Sequence, residues 1–217
     1  MRTLLLCVIG SLSCAGAIFS EDASPSVAPT PDAAEIPKGY EVGENRVSPD
    51  GRFAILNPAF DEESMVDPGL PNLLVRLKPY AVLAKFGEPT PRHYELVVEW
   101  NGNSFVAAGE KRKWGLVDLS VYEIENDKVK RVQRVFREAR KYFGDTTFVS
   151  DWNEERGERE FEFKGRKLLL NLFADTVPNL AGGPHRTAEL HAIWNLDKAK
   201  FEKVDFRPGK IEVRPDL

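Results

Sequence analysis

The chain is expected to fold as a mainly β domain of antiparallel meander sheets with one amphipathic helix near residues 130–143. Three observations lead there. His93 to Val132 alternates apolar and polar residues between tight-turn signals. Weaker copies of those turns lie on both sides of it. One stretch, Lys130 to Phe143, replaces the period of two with spacings of three and four, the signature of a helix rather than a strand.

In the central run, Tyr94, Leu96, Val98 and Trp100 alternate with His93, Glu95, Val97 and Glu99, which gives a strand with one apolar face. Asn101-Gly102-Asn103 tolerates positive φ and reverses the chain. Ser104 to Ala108 is a short second strand, and Gly109 to Lys113 reads as a charged loop. Trp114 to Ile124 is apolar on both faces, with Val117, Leu119 and Val121 on one side and Trp114, Leu116, Tyr122 and Ile124 on the other. A strand of that kind is covered from both sides. The turn from Glu125 to Lys128 then starts a return strand, Val129 to Val132.

At the start of the chain, Arg2 precedes an apolar run, Thr3 to Phe19, that holds the cleavage pattern Ala15-Gly16-Ala17. The run is short for a membrane span, so residues 1–17 are expected to be a removable signal peptide. A lipoprotein box would place Leu or a similar residue three positions before Cys14, where this chain has Ser11, so ordinary cleavage is favoured over a lipid anchor. The cut removes both cysteines, Cys7 and Cys14, and with them all disulfide and thiol chemistry. It also removes Arg2 from the 30 basic residues and none of the 34 acidic ones. The mature chain is therefore acidic, which argues against nucleic acid as a partner. Residues 18–37, with Pro25, Pro29, Pro31 and Pro37 among Ala, Ser and acidic residues, form a disordered linker that buries no core. Residues 38–217 remain as a single domain, expected to be secreted or periplasmic.

Within Asn45 to Leu56, Ser48-Pro49-Asp50-Gly51 carries a type I turn signal feeding a short strand. Together with Arg52, Phe53, Ala54 and Ile55, this turn resembles the strand-turn-strand signature of TolB-like and WD-repeat-like β-propeller blades. Glu99 to Ala107 occupies the corresponding place in the central run, and Phe163 to Leu170 a third one. Tyr122 to Val132 parallels Trp194 to Val204, with Ile124, Val129 and Val132 opposite Leu196, Phe201 and Val204 at a constant offset of 72. Asn72 to Phe86 is the matching part of the first unit, with Pro79 at an edge or turn. The resemblance implies about three blade-like units. The turn glycines Gly51, Gly102 and Gly165 are 51 and 63 residues apart, against about 40–45 in a blade repeat, and closed propellers use about 4–8 blades. The expectation is thus an incomplete propeller or a sandwich, with a barrel as the alternative.

The helix is expected to bury Val132, Val135, Phe136, Ala139, Tyr142 and Phe143 and to end at Gly144. Lys130, Arg131, Arg134, Arg137, Arg140 and Lys141 line its other face. An acidic run follows directly, Asp151, Glu154, Glu155, Glu158, Glu160 and Glu162, so mutual neutralisation or plain solvation accounts for the basic face.

One constellation offers chemistry. If Thr187 to Leu196 is a strand, Glu189 and His191 share a face while Leu190, Ala192 and Trp194 face the core. His185 on the preceding Gly-rich loop and Asp175 before it could complete a His/carboxylate metal site. The spacing matches no established metal motif, and no catalytic, cofactor-binding or metal residue is assigned. No nucleophile elbow, phosphate loop or dinucleotide fingerprint is present. Trp100, Trp114, Trp152 and Trp194 invite a sugar platform. Three of them lie in strand patterns that suit core packing, which leaves Trp152 as the exposed one.

Three functions remain. The first is an exported, non-enzymatic scaffold that binds another envelope or extracellular protein. The second is a carbohydrate-binding module centred on Trp152. The third is a hydrolase or metal-dependent enzyme built on residues 175–191. Open edge strands add homodimerisation to the expected partners.

Overall fold

The computed structural model describes residues 36–59, 69–87, 95–112, 115–144, 149–150, 159–176 and 185–212. Residues 1–35, which take in the expected signal peptide and nearly all of the expected linker, lie outside them. The described fold begins slightly earlier than the sequence suggests. Ile36 packs against the first sheet, and the Pro37 carbonyl accepts the Tyr40 N–H at 3.1 Å.

Three four-stranded antiparallel meanders follow one another along the chain. The first contains β1 (Tyr40–Val47), β2 (Phe53–Pro58), β3 (Asn72–Arg76) and β4 (Ala81–Phe86). The second contains β5 (Glu95–Asn101), β6 (Phe105–Arg112), β7 (Gly115–Glu125) and β8 (Lys128–Arg134). After α1 (Val135–Phe143) and the two-residue β9 (Val149–Ser150), the third contains β10 (Phe161–Lys164), β11 (Lys167–Thr176), β12 (His185–Asn195) and β13 (Lys200–Glu212). In each sheet the strands lie in chain order, and β9 adds to the β11 edge. The protein is mainly β, and among the described residues there is one helix and the sheets close into neither a barrel nor a propeller.

The three turn glycines do occupy the same place. Gly51, Gly102 and Gly165 each lie between the first and second strands of a sheet, at φ of 71°, 57° and 59°. Each sheet also repeats one backbone bond across that turn. The N–H groups of Leu77, Ile124 and Leu196 donate to the carbonyls of Arg52, Ser104 and Arg166. Ile124 and Leu196 are thus equivalent, as the offset of 72 requires. The last strand pair differs. Ile124 faces Val129, but Trp194 faces Phe201, because the turn at Asn126-Asp127 has two residues where Leu196–Ala199 has four. Such an even slip keeps each side chain on its own face.

The second sheet is the middle layer. Toward the first sheet it buries Leu96, Val106, Ala108, Tyr122 and Ile124 against Phe53, Ile55, Leu74 and Phe86. Toward the third it buries Phe105, Ala107, Leu119 and Val121 against Leu168, Leu170, Leu190 and Trp194. Each Val, Leu, Ile or Phe side chain among them is worth about 1.5–3 kcal/mol in burial. Leu116 was expected beside Tyr122 but lies with Leu119 instead. The pairing jumps from Glu110–Asp118 to Lys111–Leu116, and this bulge reverses the alternation and turns Val117 out to 39% exposure.

Two further expectations are corrected. Gly109 to Arg112 continues β6, with Glu110 buried and Phe161 packed over Gly109. The helix starts at Val135, because Lys128–Arg134 pairs with β7 as a strand, and Val132 is 38% exposed. Val135, Phe136, Ala139 and Phe143 are buried as expected, whereas Tyr142 is exposed and stacks edge-on to Phe201.

First strands meet where the sheets adjoin, and side chains cap their unpaired backbone. From β1, Arg46 donates to the Leu96 carbonyl of β5 at 3.2 Å. From β5, Glu99 Oε1 accepts the Phe163 N–H of β10 at 2.9 Å, and Asn101 Nδ2 donates to the Gly165 carbonyl at 2.6 Å. Burial raises the Glu99 carboxyl above the usual range, against the opposing effect of the Phe163 N–H.

A raised carboxyl favours the folded state below its unfolded value and loses that contribution as pH climbs through its folded value. Relative to Glu99→Gln, the wild type should therefore lose stability between about pH 4 and neutrality, with 4.3 the ordinary Glu value. Urea melts at pH 4 and 7.5 measure the difference, and a parallel pH profile for the two proteins would contradict it. Glu99→Ala leaves the Phe163 N–H without its acceptor and should cost about 1–3 kcal/mol at either pH. A β-carbon at Gly109 would sit 2.6 Å from the Phe161 ring, so Gly109→Ala should cost about 1–3 kcal/mol in thermal or urea unfolding.

Candidate functional site

β12 places Glu189 and His191 on the outward face of the third sheet while Leu190, Ala192 and Trp194 alternate inward and are buried. The strand expected over Thr187–Leu196 is present with the expected faces, but it runs His185–Asn195, so His185 belongs to the strand and not to the preceding Gly-rich loop. Its cross-strand neighbours form three rows. Asn171, His191 and Asp205 make one, Phe173, Glu189 and Arg207 the next, and Leu169, Ile193 and Lys203 the third.

Hydrogen bonds order the first row. Asn171 Nδ2 donates to the Arg159 carbonyl at 3.3 Å, which turns Oδ1 toward His191 Nδ1, 3.0 Å away. The proton of the neutral ring is thereby assigned to Nδ1. Nε2 then lies 3.5 Å from Glu189 Oε2, with both side chains about one-third exposed (35% and 27%). Arg207 donates twice to Asp205 Oδ2, at 2.5 and 3.1 Å. These bonds hold the Asp205 carboxyl below its ordinary range, and Asp205 is already engaged by a cation.

Asp175 and His185 do not join this group. Asp175 lies opposite Thr187 and His185 opposite Glu212, and their side chains fall outside the described residues. His185 precedes His191 by six strand residues, about 20 Å at 3.3 Å per residue, whereas zinc–nitrogen bonds are about 2 Å. One ion cannot reach both histidines. Among the described residues no group of three or more His, Cys, Asp or Glu side chains could hold a metal ion.

Of the tryptophans, Trp194 is in the core and donates from Nε1 to Gln133 Oε1 at 2.6 Å. Trp100 packs against the core between the first two sheets. Trp114 and Trp152 lie outside the described residues. The basic stretch finds its acids locally. Lys130 and Arg131 pair with Glu123, Arg134 with Asp118, and Lys141 with Glu138. Glu160, from the acidic run, pairs with Lys111 instead. Among the described residues no helix is long and apolar enough to cross a membrane.

The sequence reading missed Asn171, Asp205 and Arg207. Their alternation on β11 and β13 marks them as outward-facing, but the register that brings them beside His191 has no local signal. Comparison of the chain with protein-family models, curated proteins and solved structures finds no match.

Any heat of Zn2+ binding in calorimetry should survive His185→Ala and His191→Ala when each is made alone. Its complete loss from both single variants would show one ion bridging the two residues.

Proposed function

We propose that this is an exported, non-enzymatic scaffold of blade-like β sheets that binds another envelope or extracellular protein. The observation that carries the reading is the outward flank of the third sheet. There Leu169, Phe173 and Ile193 stand half-buried among Asn171, Glu189, His191, Asp205 and Arg207. This is a broad face with ordered polar side chains and an apolar strip, the mixture of a non-obligate protein interface. The polar residues are spread over three strands rather than gathered around one reacting atom, which suits surface recognition better than acid–base chemistry. Export rests on the residue pattern of positions 1–17.

Fractionation of cells expressing the full chain should place the processed protein outside the cytoplasm. Cross-linking in that compartment should join the wild type to a partner and fail for Ile193→Lys, a change on the outward face with unaltered circular dichroism expected. Retention of the same partner by Ile193→Lys would place binding elsewhere. A glycan-array signal in place of a protein adduct would favour the carbohydrate-binding alternative.

A further inference from the structure

We propose that the outward flank of the third sheet receives the exposed edge strand of another protein, with Glu162 accepting a backbone N–H and Lys164 donating to a backbone C=O. This inference rests on the scaffold reading and names the kind of partner. Its basis is a device that the molecule already uses. Asn101 pairs with Phe105 and Lys164 with Lys167. The repeated bonds from Ile124 to Ser104 and from Leu196 to Arg166 make Phe105 and Lys167 equivalent. Asn101 therefore corresponds to Lys164, and Glu99 to Glu162.

Glu99 and Asn101 cap the Phe163 N–H and the Gly165 C=O of the adjoining first strand. Arg46, the next-to-last residue of β1, does the same for the Leu96 carbonyl. Glu162 and Lys164 present the same order of acceptor and donor, two residues apart. They do so on the one flank where no described sheet follows. Neither side chain forms a hydrogen bond or ion pair among the described residues, while their backbones pair with β11. Beside them Leu169 and Ile193, paired across β11 and β12, offer an apolar strip. A strand laid there would satisfy its backbone on the charged pair and seat alternate side chains on the strip, as in β-strand addition. The flank continues the established series of sheet interfaces by one more position. A second copy of this chain does not fit as the next member, because the opposite flank is closed. Ala54, Leu56, Leu73, Val75 and Leu77 on that side are at most 4% exposed.

The probe is a synthetic peptide with the sequence of residues 159–166, the strand that Glu99 and Asn101 cap. It is titrated into the 15N-labelled full chain and followed by NMR. Amide shifts are expected at residues 162–171 and 191–195. A peptide N-methylated at the position of Phe163 should bind about tenfold more weakly. Methylation at the position of Glu162, whose N–H lies on the other edge, should have little effect. Glu162→Ala with Lys164→Ala should remove the difference between the two methylated peptides. Absence of binding, equal affinity of the methylated forms, or shifts centred on Glu99 and Asn101 would each overturn the proposal. Partner cross-linking sensitive to Ile193→Lys, without peptide discrimination, would overturn this mode of docking and leave the scaffold reading intact. Peptide discrimination without any cross-linked partner would support the docking chemistry and count against the scaffold reading alone.

Discussion

Everything in this fold depends on how the first strands of successive sheets meet. A first strand pairs on one edge only, so half of its N–H and C=O groups have no ladder partner. Where sheets stack face to face, those groups are drawn out of water, and an unsatisfied one costs about 1–3 kcal/mol. Adjoining first strands do not pair with each other here. Instead Arg46, Glu99 and Asn101 reach across and supply single donors and acceptors. The arrangement lets adjoining sheets meet without pairing while the Leu96 carbonyl, the Phe163 N–H and the Gly165 carbonyl are satisfied. It also explains a carboxylate in a partly buried position, since Glu99 meets a backbone donor that no apolar side chain could serve.

The middle sheet carries the second demand, burial on both faces. β7 meets it with Leu119 and Val121 on one side and Tyr122 and Ile124 on the other. Close approach of the third sheet requires Gly109, whose missing β-carbon leaves room for the Phe161 ring. The bulge at Val117 belongs to the same solution. It turns Leu116 toward the third sheet, where Phe161, Leu168 and the helix need an apolar neighbour, and sends Val117 to the surface.

Sequence periodicity made the meanders legible because turns and alternation are local. Ser48 to Gly51, Asn101 to Asn103 and Gly165 each announce a reversal, and each was found at one. The misread positions are those where tertiary pairing overrides a local pattern. Lys130 to Arg134 fits a helical stripe, yet Val129, Arg131 and Gln133 fit the β7 ladder equally well, and the ladder wins. Gly109 to Arg112 looks like a loop because its charges suggest solvent, but Glu110 is buried and Lys111 pairs with Glu160. The candidate site divides in the same way. Strand alternation showed Glu189 and His191 together, but His185 read as part of a Gly-rich loop and only the observed extension of β12 separates it from them. That Asn171 and Asp205 flank His191 depends on register between strands 20 and 14 residues away in sequence, which no window of the chain contains.

The two flanks of the stack differ in chemistry, and that difference limits what the stack can become. The first sheet turns aliphatic residues outward and has them covered within the chain, Tyr40, Val42 and Val47 among the residues packed on them. The third sheet turns out polar side chains whose hydrogen bonds are made with one another, around a strip of Leu169 and Ile193 that stays half-buried. An apolar face as closed as the first cannot dock onto a face as polar as the third without stranding the Asn171–His191 and Asp205–Arg207 pairs. Ring closure by the molecule's own flanks is thereby disfavoured, since each buried polar group left unpaired would cost about 1–3 kcal/mol. Among the described residues the series of sheets is sealed where it begins and is followed by no further sheet where it ends, and any partner that continues it must bring a surface of matching polarity.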